Sequence, residues 1–137
     1  MKRVVIIGNG IAGVTAARNI RKRSKDEILI ISGETDYFFS RTALMYVYMG
    51  HINFENTQPY ENHFWKKNKI DLLNGWVEEI QFENKKVFVR SKIEKLKTAV
   101  RTTAVEGEWI NYDTLILATG SKPNFYNWPG QDAIGVQ

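Results

Sequence analysis

The sequence of 137 residues contains no cysteine. That excludes disulfide staples, thiolate metal sites and any thiol redox relay carried by this segment. Histidine is nearly absent too. His51 and His63 are the two present, too far apart to suggest a metal site, and they read as ordinary polar or partly buried side chains. No apolar run approaches the roughly 20 residues needed to cross a bilayer. No carboxylate pair, Ser–His pair or activated lysine stands out, so no catalytic acid, base or nucleophile is assigned. Low-complexity tracts, internal repeats and obvious linkers are also missing. What remains is a composition 43% hydrophobic and 25% charged, ordinary for a globular protein and large enough for one domain with a real core.

The opening "MKRVVIIGNGIAGVTAA" superficially resembles a secretion signal, with two cations, an apolar stretch and then small residues. Gly8, Asn9 and Gly10 interrupt that stretch, and the pattern runs on at helical spacing into Arg18, Arg21, Lys22, Arg23 and Lys25. A cytoplasmic location is the expectation. The formal charge is +4 and unevenly spread. Lys85, Lys86, Arg90, Lys92, Lys95, Lys97 and Arg101 form a basic stripe broken by one acid, Glu94. The stripe alternates with Val87, Val89, Ile93 and Leu96, as the wet face of antiparallel strands does. An acidic protein partner is the alternative reading, and nucleic acid is not expected.

Val4 to Ile7 is a continuous β-branched run, which predicts a strand buried on both faces. From Gly10 to about Lys22, Ala12, Gly13, Ala16, Ala17 and Ile20 recur at helical spacing, and the cations at the end suit the negative pole of a helix. Ile28 to Ile31 is a second buried run. Strand, glycine turn, helix and strand make a βαβ unit, with parallel pairing and a right-handed crossover. Residues 40–50 look helical and stop at Gly50, residues 51–63 read as a polar, aromatic loop, and Ile70 to Leu73 as a short third strand closed by Asn74-Gly75. "VEEIQFENKKVFVR" alternates around Glu83-Asn84 like a hairpin, and "LILATG" reads as another parallel core strand. The expected fold is therefore α/β, a Rossmann-like parallel sheet with an inserted antiparallel β-meander. Its parts are a βαβ core over 1–75, a meander over 76–112, and a strand and tail over 113–137.

The stretch "VVIIGNGIAG" places three glycines where a dinucleotide needs them. Gly8 allows a sharp turn from strand to helix, Gly10 leaves room for a pyrophosphate at the backbone, and Gly13 lets the helix pack close. Phosphates would sit at the helix N-terminus, so the loop residues Asn9, Ile11 and Ala12 join the three glycines as candidates. An acid is expected about 20 residues on to bind ribose hydroxyls, and Glu34, preceded by Gly33, stands just past "ILIIS". Its charge disfavours a 2′-phosphate. These features do not separate FAD from NAD.

"YDTLILATGSKP", residues 112 to 123, resembles the second flavin-contact motif of the FAD-dependent pyridine nucleotide-disulfide oxidoreductase family, with Ala118-Thr119-Gly120 ending the strand and Pro123 in place. "NWPGQDAIGV" is similar to the family's downstream segment, with Pro129 and Gly130. The stretch "ILIISGETDYFFSRTALMYVYMG" resembles that of rubredoxin reductases and of the large subunit of NADH-dependent nitrite reductases, through Phe39, Ser40, Arg41 and Leu44. The resemblance implies a sheet of the FAD/NAD(P)-binding type, with FAD as cofactor and NAD(P)H as electron donor at a site not on this chain. It implies that Arg41 contacts the FAD, that the backbone of Val77 meets the adenine, and that Ala118, Thr119 and Gly120 lie against the cofactor.

Departures from the family pattern bear on chemistry. Tyr46 stands where many relatives have a lysine near the flavin ring, and Thr42 and Ala43 replace frequent prolines. Without cysteine, electrons would pass to a non-thiol acceptor, either an acidic iron–sulfur or rubredoxin-like protein or a fused reductase module. Family members run to roughly 400 residues with a second Rossmann unit, so the sequence reads as the N-terminal flavin part of such an enzyme. The alternative is a stand-alone, non-catalytic nucleotide-binding or redox-sensing module.

Overall fold

The computed structural model describes residues 1–91, 107–122, 126, 128–130 and 133. The strands are β1 (Arg3–Ile7), β2 (Glu27–Ser32), β3 (Ile70–Gln81), β4 (Lys86–Ser91), β5 (Gly107–Asn111) and β6 (Thr114–Leu117). The helices are α1 (Ile11–Arg23), α2 (Leu44–Tyr48) and α3 (His63–Lys67). All six strands join one sheet in the order β5-β4-β3-β2-β1-β6. β6, β1, β2 and the first half of β3 pair in parallel, while the second half of β3, β4 and β5 pair antiparallel.

The third strand departs from the expectation. It does not close at Asn74-Gly75 but runs on to Gln81, across the expected boundary between core and meander. Asn74 is the last residue paired with β2, opposite Ser32, and Gly75 is the first paired with β4, opposite Ser91. The backbone is handed from one neighbour to the next without a gap. A dipeptide that favours turns therefore stays extended, because its hydrogen-bonding groups are already taken.

Strand alternation divides the core in two. Val4, Ile6, Ile28, Ile30 and Ile70 point to one face and pack with Val14 and Ala17 of α1 and Trp65 of α3. Val5, Ile7 and Ile31 point to the other, where Val87 and Val89 of β4 and Ile110 of β5 close over them. The meander curls back and covers the face that a second layer of helices covers in a doubly wound sheet. Glu34 to Asn68 is not a bare connection. The segment expected as a loop over 51–63 contains a 3-10 turn at Phe54–Thr57 and leads into α3. Aromatic packing organises it: Tyr60 stacks on Phe64 at 4.5 Å, Phe64 meets Trp65 edge-on at 5.3 Å, and Arg18 of α1 donates to the Tyr60 hydroxyl at 2.8 Å.

At the amino ends of the strands the Arg21 guanidinium donates to the carbonyls of Asp26 at 2.6 Å and Lys69 at 2.7 Å. One side chain thus fixes the end of α1 to the entries of β2 and β3. Among the described residues no helix is long and apolar enough to cross a membrane.

Candidate nucleotide site

The glycine turn lies at the carboxyl end of β1. Gly8 has φ +113°, the left-handed region that favours glycine, and its N–H donates to the Ile31 carbonyl at 2.8 Å. A Cβ on Gly8 would stand 2.1 Å from the Ala118 carbonyl oxygen, and one on Gly13 would stand 2.0 Å from the Gly8 carbonyl oxygen. The strand exit, the helix and the segment after β6 are therefore interlocked through backbone, with no room for a side chain at either position. Gly10 is different: a Cβ there would meet nothing within 4 Å. Its lack of a side chain leaves the approach to the helix open.

Gly10 is the N-cap of α1, which has no side-chain cap and no acid in its first turn. The first amides of a helix have no intrahelical acceptor, and the dipole adds positive potential there. Ile11 and Ala12 are exposed on this first turn. The Asn9 Oδ1 is buried with no hydrogen-bond partner among the described residues.

A second group forms past the end of β2. Glu34 and Arg41 pair with each other, and the guanidinium also sits 5.3 Å from the Phe39 ring centroid. Both side chains are more than half exposed, 53% and 66%, so the pair contributes only about 0–1 kcal/mol and separates readily. Gly33 lies under the indole of Trp76: a Cβ on Gly33 would be 2.2 Å from the ring. Asn74 donates to the Asp36 carboxylate, while its own Oδ1 is buried without a partner among the described residues.

Val77 is half-buried, and its side chain packs into the core face opposite α1. The β3–β4 register slips between Val77 and Glu79, a β-bulge one step from the end of the parallel pairing. Beyond β6, Ala118 donates to the Ile7 carbonyl at 2.8 Å, Thr119 and Gly120 are exposed, and Gly120 has φ +74°. Pro123 lies outside the described residues.

The structure thus gathers the expected residues at the carboxyl ends of the parallel strands. Gly8, Gly13 and Ala118 touch; Glu34 and Arg41 pair; Val77 reaches the group only through its strand. Sequence reasoning passed over Trp76. A tryptophan directly before Val77 was the available signal. Of the basic stripe, Lys86 sits 4.5 Å over the Trp109 ring and Arg90 pairs with Glu78 at 2.8 Å, while Lys92, Lys95, Lys97 and Arg101 lie outside the described residues. A cavity of about 580 Å³ beside Arg21 and Lys69 lies at the amino ends of the strands, away from this site.

The family model described as pyridine nucleotide-disulphide oxidoreductase matches residues 2–137. The chain belongs to that family. Members bind FAD and take electrons from NAD(P)H. An NADH oxidase of Methanocaldococcus jannaschii is 37% identical over 98% of this chain and 28% of its own length. The nitrite reductase [NAD(P)H] of Bacillus subtilis is 30% identical over 98% of this chain and 15% of its own. A solved NADH:rubredoxin oxidoreductase from Clostridium acetobutylicum superposes with a TM-score of 0.74 at 26% identity, over 96% of this chain and 31% of that one. The chain therefore spans less than a third of the relatives it matches.

Proposed function

We propose that residues 1–137 form the FAD-binding portion of an NAD(P)H-dependent flavoprotein oxidoreductase. It passes electrons from nicotinamide through FAD to a non-thiol acceptor, either a rubredoxin- or ferredoxin-like protein or a fused reductase module. A cytoplasmic location goes with this reading. The observation that carries it is the interlock of the glycine turn with Ala118. Two motifs more than a hundred residues apart in sequence meet around one open helix end.

The residues present fit an adenine dinucleotide. The free amides of the first turn of α1, reached past Gly10, suit the pyrophosphate. Glu34 suits the ribose hydroxyls and Arg41 a phosphate, each at the small cost of giving up the other. The Asn9 Oδ1, without a partner among the described residues, calls for a donor such as a cofactor hydroxyl or N–H. The backbone of Val77 is assigned to the adenine, and Ala118, Thr119 and Gly120 to the flavin side. The flavin, when bound, supplies the electron chemistry, and the chain holds and orients it. No cysteine is available on this chain to relay electrons onward.

Titration with FAD tests the reading. The protein takes up FAD and turns yellow, absorbing near about 450 nm, a property of the cofactor. Gly10→Leu removes that binding while the circular dichroism stays unchanged. A protein that binds NAD or ADP but not FAD would be the non-catalytic nucleotide module instead.

A further inference from the structure

We infer that Trp76 is a wall of the adenine subsite, an aromatic plate on which the base of the cofactor stacks. The inference rests on the FAD reading above. Trp76 is 65% exposed, although burying an indole is among the larger apolar gains available to a fold. Its ring is nonetheless held in place. It lies against the backbone of Gly33, where even a methyl group would stand 2.2 Å from the indole. Gly33 immediately precedes Glu34, the acid assigned to the ribose. The ring is therefore fixed beside the residue that fixes the sugar.

Strand geometry carries the same point. Val77 packs into the core face opposite α1, so Trp76, one residue earlier on β3, projects to the α1 side. That is the side where the glycine turn opens. β2 pairs with β3 only as far as Asn74, so past that point no strand among the described residues neighbours β3 on this edge, and the indole reaches over the turn after β2. Asn74 shares its face of β3, and its Oδ1, without a partner among the described residues, is an acceptor matched to the exocyclic amine of adenine. A fixed, half-open aromatic ring beside a ribose-binding acid has the chemistry of a base-stacking platform.

The test uses ADP, which carries adenine, ribose and pyrophosphate without the flavin, and inorganic pyrophosphate as the probe lacking the base. ADP quenches the tryptophan fluorescence of the parent protein. In Trp76→Phe that quenching disappears although three other tryptophans remain, while ADP affinity by calorimetry stays within about threefold because the ring is kept. Trp76→Leu weakens ADP roughly tenfold and leaves pyrophosphate unchanged. Parental ADP affinity in Trp76→Leu, or quenching that persists in Trp76→Phe, overturns the assignment while leaving the FAD reading intact. Should Trp76→Leu fail to fold, the Trp76→Phe fluorescence decides alone. A parent protein that binds neither ADP nor FAD overturns both.

Discussion

The two halves of this sheet are built on different rules, and β3 belongs to both. In the parallel half, β1 and β2 are buried on both faces and carry hydrophobic side chains in succession. In the meander, β4 and β5 bury one face, on Val87, Val89 and Ile110, and turn Lys86, Phe88, Arg90 and Trp109 to the other. The parallel half ends its strands together on one edge and must turn sharply into helices or loops there, which is where backbone amides become free. The meander returns each strand to its neighbour and leaves no such edge. Nearly every candidate site residue accordingly belongs to the parallel half. The meander contributes cover for the second core face, and where β3 crosses over it contributes Val77 and Trp76.

Perturbing each half separately sharpens this contrast. The largest effect is expected at the interlock: Gly13→Val drives a side chain into the Gly8 carbonyl, a backbone atom that cannot swing away, and destabilises by about 3 kcal/mol or more in urea unfolding. In the meander, Trp109→Ala removes the ring that packs on Phe88 at 5.2 Å and lies beneath Lys86. The expected loss is about 1 kcal/mol, with FAD affinity unchanged, because the ring is 40% exposed and far from the glycine turn in the sheet order. Reduced FAD affinity in that variant would show that the halves are coupled beyond β3.

The smallest effect lies at the amino ends of the parallel strands. The Lys2 backbone N–H donates to the Asp26 carboxylate at 2.9 Å and holds its pKa below the ordinary 3.8. A lowered folded pKa means stability that is present above pH 3.8 and lost as pH falls through the folded value. Asp26→Asn should therefore leave a flatter acid limb below about pH 4 and a slight loss at neutral pH, read from thermal midpoints across pH. An unchanged acid limb would remove Asp26 from that balance.

Much of the parallel half was legible because its signals are local. Val4 to Ile7, the glycine turn, the helical spacing of α1 and the run at Ile28 to Ile31 each declare themselves within a few residues. The Glu83-Asn84 hairpin did so too. Asn74-Gly75 misled for a physical reason: turn chemistry is a local preference, and two successive strand partners outweighed it. Residues 51–63 read as a loop because they are polar and hold Pro59, yet Tyr60 finds its place by packing on Phe64 and Trp65 of α3 and bonding to Arg18 of α1.

For the site, the sequence alone determined which residue types were available and in what order. These were glycines at a strand exit, an acid about 20 residues on, a cation after it, and an apolar run leading into Ala-Thr-Gly. It also determined that this chain supplies no thiol to the site. Only the tertiary structure decided that Gly8 and Gly13 are filled by protein while Gly10 stands open. It alone paired Glu34 with Arg41 and laid Trp76 over Gly33. Such contacts join residues far apart along the chain, and their distances follow from how strands align in the sheet. No local pattern in the sequence encodes that alignment by itself.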